Sequence, residues 1–448
     1  MKARNLLALW LAALCAACGS SGGVSTDSGT AATPKDGWVG AWAAAPYGPY
    51  PLGPLSGVLP IPIPAEIPLP PIPSYLPGNQ AVDQSFRMIV RPTLGGETLR
   101  LRLSNLVGDR PLHIGPVQVA RRLLGPAILP GSSRAVLFGG QPEVTIAPGA
   151  EAISDAVDLA YTAGSDLAVS FHVIGESGPI TWHAVSFALS YVGLPNASDT
   201  TGDLSGLTFP QPTMGWFFLS GIDVLAPDSP GAIVAIGDSI TDGAYSVPET
   251  NTRWPDFFAQ RLQRAGIEMG VLNQGINSNT VTREAVDTVS AYQGQPAVDR
   301  FDRDVLDRAG VRSVLIFEGT NDLGAGRAAE EIHAGIRDLS DRAHAAGLCV
   351  VVGLIPPRLD VIPPLFSWDL ATMEPQRQRL NELIRADTSF DALADFEAAL
   401  ALPGMPSLPN VALYFPDLLH PNSLGFAAMA QAVPLEALVP PPAGHCTR

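Results

Sequence analysis

Ser239 lies in the stretch 231–243, G-A-I-V-A-I-G-D-S-I-T-D-G, in which five apolar residues give way at once to a small polar turn. The apolar run has the length and β-branched content of a buried parallel strand. A hydroxyl just past it would lie in the crevice where open α/β sheets bind ligands, and could act there as a nucleophile. Such a serine needs a base, and Asp417-Leu418-Leu419-His420-Pro421 offers an imidazole three residues from a carboxylate, a spacing that one tight turn brings together. In acyl transfer His420 would take the serine proton and return it to the leaving alcohol, while Asp417 holds the imidazole tautomer through the other nitrogen. Two further stretches, Asn273-Gln274-Gly275 and Gly319-Thr320-Asn321-Asp322, also fall just beyond predicted strands. Each stretch alone has a plainer reading. G-D-S is what any strand-to-helix loop is made of, Asn321 fits an Asx turn, and D-x-x-H-P fits a surface turn in which Pro421 starts a helix.

Together, in the order Ser, Gly, Asn, Asp, His, the four stretches are more specific. From about residue 233 to the C terminus the sequence resembles the SGNH/GDSL hydrolases, a family of serine esterases and lipases. The resemblance implies a flavodoxin-like three-layer α/β domain with Ser239 as nucleophile, His420 as base and Asp417 as its orienter. It also implies an oxyanion hole formed by the amides of Ser239 and Gly275 and the side chain of Asn321, with Gly275 letting the backbone approach the substrate without a Cβ clash. Asp238 and Asp322 are expected to brace the two loops. The second stretch departs from the family pattern, with Ser278 where a glycine is usual. Around Ser239 there is no G-x-S-x-G, which argues against the α/β-hydrolase elbow. No H-E-x-x-H, P-loop or dinucleotide fingerprint occurs, so neither a metal nor a cofactor is expected.

The elements that must position these residues alternate in the manner of a doubly wound sheet over 232–448. Strands are predicted at 233–236, 269–272, 313–317, 349–354 and near 393–396, and helices at 254–265, 296–308, 327–346, 375–386 and 423–432. Right-handed crossovers would gather the strand carboxyl ends, with Ser239, Gly275 and Asn321, on one rim. Residues 227–231 read as a linker. Before it, 37–226 reads as an N-terminal β domain, and from Ser85 to Ala226 its period is two: Phe86, Met88 and Val90 alternate with Arg87, Ile89 and Arg91, and Leu99, Leu101 and Leu103 with Arg100 and Arg102. Half-buried antiparallel strands follow, in a β-sandwich or jelly-roll domain. Such N-terminal domains resemble those of a bacterial branch of the family that includes aryl- and acylhydrolases linked to plant polysaccharide breakdown. His113, His172 and His183 have no metal-ligand spacing and read as ordinary β-domain residues, while His333 and His344 read as solvent-facing on a helix. The proline-rich stretch 46–78 can be neither helix nor central strand, and reads as a belt over the fold or an apolar flap beside the crevice.

Of 448 residues 46% are hydrophobic and 16% charged, which describes a globular protein with a substantial core. A net charge of −16 with no basic cluster argues against nucleic acid and against charge-driven binding to anionic membranes. Residues 1–18 read as an export signal, with Cys18 a candidate lipobox cysteine although Cys15 stands where leucine is usual. Either a lipid-anchored envelope protein or a secreted one fits, and 19–36 reads as a flexible tether. Cys349 and Cys446, an even pair in an exported chain, are expected to form a disulfide; the alternative is two unrelated thiols. The resulting expectation is an exported serine ester hydrolase for short-chain acyl or aryl esters, among them O-acyl groups of polysaccharides. A lipase for longer chains and an inert surface-binding protein are the alternatives, and oligomeric state is left open. Activity is expected to fall on acidification as His420 takes up a proton.

Overall fold

The computed structural model describes residues 36–50, 75–283, 285, 293–359 and 369–439. The expected export signal with Cys18, the tether up to residue 35, residues 51–74 of the proline-rich stretch and Cys446 lie outside the described residues.

Before residue 226 the chain is strand-rich. Its main strands are β1 (Trp38–Ala43), β2 (Val82–Val90), β3 (Gly96–Ser104), β4 (Leu112–Leu124), β5 (Leu167–Glu176), β6 (Ile180–His183) and β7 (Leu219–Leu225). One antiparallel sheet runs β1-β7-β3, and a second is centred on β2-β5-β4, with Phe171 opposite both Phe86 and Val117. Leu99, Leu101, Leu103, Ile222 and Val224 of the first share a core with Phe86, Met88, Val119 and Phe171 of the second.

The alternation in β2 does not leave one face to water. Arg87 is fully buried, donating to Ser170 Oγ (2.8 Å) and to the carbonyls of Pro126 (2.6 Å) and Thr201 (3.0 Å), over the Phe209 ring. A second small core of Ile89, Ala120, Ile128, Ala168, Tyr191 and Phe209 covers that outer face, so the guanidinium must be saturated with acceptors to stay there. At the start of the proline-rich stretch, Tyr47–Tyr50 is a strand at the edge of a small sheet beside β6, where a missing N–H is tolerated.

After the linker come β8 (Gly231–Gly237), β9 (Met269–Gly275), β10 (Val311–Phe317), β11 (Cys349–Gly353) and β12 (Ala392–Ala394). All are parallel, in the order β9-β8-β10-β11-β12. Every residue of β8 is buried, as a central strand covered on both faces requires. The helices include α1 (Ser239–Asp242), α2 (Trp254–Arg264), α3 (Ala297–Phe301), α4 (Thr320–Gly324), α5 (Ala329–Ala345), α6 (Met373–Ala386) and α7 (Ser423–Ala432). α2 packs on α7, whereas α5 packs on α3 and α6. His333 and His344 on α5 are not solvent-facing. They lie against Asp387 and Asp391 near the next strand, partly covered. Cys349 is buried and disulfide-bonded. Among the described residues no helix is long and apolar enough to cross a membrane.

Residues 227–231 do not separate two independent cores, since one apolar cluster continues from Val39 to Leu438. β1 packs against β9, so closely that a Cβ on Gly270 would lie 1.9 Å from the Gly40 carbonyl oxygen. Thr93 Oγ1 accepts the Val271 N–H (2.8 Å) and thereby blunts the open edge of β9.

Candidate active site

Three strand ends of the parallel sheet supply the site. At the end of β8, Asp238 caps α1, its Oδ1 accepting the Ile240 N–H (2.8 Å). Ser239 is the first helical residue, so its own N–H is one of the orphan donors of a helix start. Ser239 Oγ lies 2.9 Å from His420 Nε2, and His420 Nδ1 lies 2.6 Å from Asp417 Oδ2. A carboxylate only accepts, so Nδ1 carries the proton, leaving Nε2 bare to accept the serine O–H. Asp417 Oδ1 accepts the N–H groups of Leu419 and His420, both at 3.0 Å. Burial works to raise the Asp417 carboxyl, but the His420 hydrogen bond and charge and these two amides outweigh it and hold it below the usual aspartate range. Leu418, between the two, has φ +55°, which lets the chain double back within three residues. Pro421 does not start α7. Asn422 is the cap, its Oδ1 accepting from Leu424 and Gly425, and the helix begins at Ser423.

Asn321 lies on α4, just past β10, and its Nδ2 donates across to the Asn279 carbonyl (2.8 Å), so its side chain does not close a local Asx turn. Gly275 ends β9, and its amide donates to Asn273 Oδ1 (2.9 Å). The reason for a glycine there differs from the expected one: a Cβ would lie 2.2 Å from Asp242 N, so its absence lets α1 sit directly on β9. Asn273 Nδ2 in turn holds the Thr241 carbonyl (2.8 Å). Ser278, where the family pattern has glycine, has φ +61°, so the left-handed turn persists with a side chain on it.

Asp322 accepts from the N–H groups of Val281 and Thr282 and from Thr282 Oγ1, tying α4 to the loop after β9. Asp238 and Glu318 are fully buried beside it, each with one carboxyl oxygen lacking a hydrogen-bond partner among the described residues. Burial pushes Asp238 up to about 6, and burial plus the Asp238 charge push Glu318 well above the usual glutamate range.

Sequence reasoning missed Arg300, at the heart of this layer. Completely buried on α3, it donates to the carbonyls of Gly237 (3.1 Å) and Gln274 (2.7 Å), to Asn279 Oδ1 (2.8 Å from Nη2) and to Asp304 Oδ2 (3.1 Å). One fork thus pins the ends of β8 and β9 and fixes Asn279, whose carbonyl orients Asn321. Arg300→Met would leave Glu318 without this cation and the Gly237 and Gln274 carbonyls without their donor, while Asp304 keeps Arg303, and is expected to lower unfolding free energy by about 3–5 kcal/mol. Urea unfolding measures it, and a loss under about 1 kcal/mol would mean that the fork is not a brace.

His183, a strand residue of the β region, also reaches beyond its own sheet. Its Nε2 donates to Asp242 Oδ1 on α1 (2.9 Å) and its Nδ1 faces the Ala45 carbonyl (3.0 Å), all within the buried junction. The strand-rich part therefore grips the short helix that carries Ser239. Among the described residues His172 and His113 bond to Ser85 and Thr145, within their own sheet.

The family model described as GDSL-like Lipase/Acylhydrolase matches residues 235–428. No curated protein sequence matches the chain. Among solved structures, a G-D-S-L family lipolytic protein from Veillonella parvula is 21% identical over 45% of this chain and 94% of its own, with a TM-score of 0.32. An acetylxylan esterase from Geobacillus stearothermophilus is 21% identical over 46% and 92%, also at 0.32. A GDSL-like lipase from Bacteroides thetaiotaomicron is 16% identical over 45% and 85%, again at 0.32. Residues 235–428, which carry the serine, the glycine, the asparagine, the aspartate and the histidine described above, belong to the GDSL-like lipase/acylhydrolase family of carboxylic ester hydrolases.

Proposed function

We propose that this chain is an exported serine esterase that removes short acyl groups from aryl or sugar alcohols, O-acyl groups of polysaccharides among them, through an acyl-enzyme on Ser239. The observation that carries the reading is the continuous hydrogen-bonded line Ser239–His420–Asp417 at the carboxyl ends of parallel strands. The strand order, second-first-third-fourth-fifth in chain sequence, supports a flavodoxin-like layout, whose ligands bind at that rim. Export rests on the apolar run in residues 1–18, and attachment through a lipid on Cys18 on the small residues around it.

In this mechanism Ser239 Oγ attacks the ester carbonyl as Nε2 of His420 takes its proton. The carbonyl oxygen becomes an oxyanion, held by the Ser239 N–H and the Asn321 Nδ2, with the Gly275 N–H exchanging Asn273 Oδ1 for the substrate. The imidazolium, steadied by Asp417, gives the proton to the departing alkoxide oxygen, and the C–O bond breaks to leave acyl-Ser239. Water, deprotonated by His420, then attacks the acyl carbon; collapse of the second tetrahedral adduct returns the proton to Ser239 Oγ and releases the acid.

The test is hydrolysis of 4-nitrophenyl acetate, butyrate, octanoate and palmitate by the mature protein beside Ser239→Ala. Acetate or butyrate is expected to give the highest kcat/KM. A lead for octanoate or palmitate would move the chain to the lipases, since a pocket that accepts longer chains gains about 0.8 kcal/mol per buried CH₂. Equal inactivity of both proteins on every ester would sink the enzymatic reading in favour of surface binding.

A further inference from the structure

Beyond the reacting groups, the base is flanked by an aromatic pair that the hydrolysis itself does not call for. Tyr245 and Phe415 stack with ring centroids 4.3 Å apart and planes 15° from parallel, and the Tyr245 ring lies 4.8 Å from that of His420. The two come from different segments, Tyr245 from the turn after α1 and Phe415 from the turn before Asp417, and both are only half-buried. Tyr245 has φ +64°, inside a turn closed by the Ser246 N–H on the Gly243 carbonyl. Turn chemistry puts Gly or Asn at such a position, and a bulky side chain there is strained. The fold tolerates that strain at a residue whose ring borders the catalytic base. The phenol is pushed up to about 12 by burial and by Asp417, so the pair presents an uncharged surface.

The chemistry says which part of a substrate meets this surface. His420 must reach the leaving oxygen to protonate it, so what stands beside His420 on the solvent side borders the alcohol and not the acyl chain. We propose that Tyr245 and Phe415 form the subsite for the leaving alcohol and favour alcohols with a flat ring face, a sugar or aryl ring, over acyclic ones. The proposal rests on the esterase reading above and adds to it the half of the ester that is recognised.

Holding the acyl group constant isolates the alcohol. The experiment compares kcat/KM for phenyl acetate, a mono-acetylated methyl xyloside and ethyl acetate in the wild type, Tyr245→Gly, Tyr245→Phe and Ser239→Ala. Glycine removes the ring while suiting the left-handed backbone, and phenylalanine keeps the ring without the hydroxyl. An aromatic contact of ordinary strength predicts that Tyr245→Gly lowers the ratio of ring ester to ethyl acetate by about 2- to 12-fold, chiefly through KM, and that Tyr245→Phe preserves it. A fall for phenyl acetate alone identifies an aryl alcohol, and for the xyloside alone a sugar; either supports the subsite. Inhibition of ethyl acetate hydrolysis by phenol or methyl xyloside should weaken by the same factor in Tyr245→Gly. An unchanged ratio, with all three esters slowed equally, would overturn the proposal and leave the ring as packing for His420. Wild-type protein no faster than Ser239→Ala on every ester would instead defeat the esterase reading, and the subsite with it.

Discussion

Ser239→Ala is expected to abolish turnover, with kcat on 4-nitrophenyl acetate falling by about 10⁵- to 10⁶-fold, the scale on which a nucleophile acting within a triad fails. The size follows from what remains. The oxyanion donors and binding contacts stay in place and support about 10³- to 10⁴-fold catalysis over water by themselves, but no acyl-enzyme can form. Among the described residues the Ser239 hydroxyl hydrogen-bonds to His420 alone, and the Asp238 cap and the Asp417–His420 link do not involve it. The melting temperature should therefore move little while the rate collapses. Pre-steady-state kinetics give a second reading: the wild type should release a burst of nitrophenol if deacylation is the slower step, and the variant none. A variant within ten-fold of wild type would remove Ser239 from the reaction altogether.

Residues that had to be near a strand end were legible from the sequence, because their neighbours announce the strand. Ser239, Gly275 and Asn321 each follow an apolar run, and His420 and Asp417 sit in one short loop, so local spacing already limits where they can go. Arg300 offered no such signal. It is one of seven charged residues from Asp299 to Arg308, and its burial is decided by two strand ends that meet only after the sheet has formed. His183 was hidden for a related reason, since its partner Asp242 lies in the other part of the chain and nothing in I-T-W-H shows that α1 will be docked on it. In the strand-rich part the period of two located the strands but misjudged their exposure. Arg87 follows the alternation faithfully, yet the chain around Thr201 and Phe209 folds over its face and makes an interior residue of it. Gly275 shows the converse: the residue type was read correctly and its cause was not, because contact with α1 is a tertiary fact. Tyr245 contradicts its own turn, and such local violations tend to mark positions where something other than stability is being served.

Asp417→Asn separates the role of the carboxylate from that of the imidazole, and kcat is expected to fall by about 10⁴-fold with the fold intact. In the native site Oδ1 takes two backbone N–H groups and Oδ2 takes the His420 Nδ1–H, so all three neighbours donate. An amide has one oxygen to offer. If that oxygen stays with the backbone amides, the NH₂ faces Nδ1 and drives the ring to its other tautomer, with Nε2 protonated and unable to accept from Ser239. If the amide turns over, the N–H groups of Leu419 and His420 lose their acceptor and the tight turn at Leu418 loosens. The pH dependence discriminates further. Because the native Asp417 carboxyl is held below its unfolded value, its contribution to stability is fully present above the unfolded aspartate range, about pH 4, and is lost as the pH falls through the native value. The stability difference between wild type and Asp417→Asn should therefore stay constant from pH 8 to about pH 5 and shrink only in stronger acid. A variant with wild-type kcat would show that His420 finds its tautomer without the carboxylate; a stability gap that closes already between pH 7 and 5 would show that Asp417 titrates there and is not the fixed anion of the line.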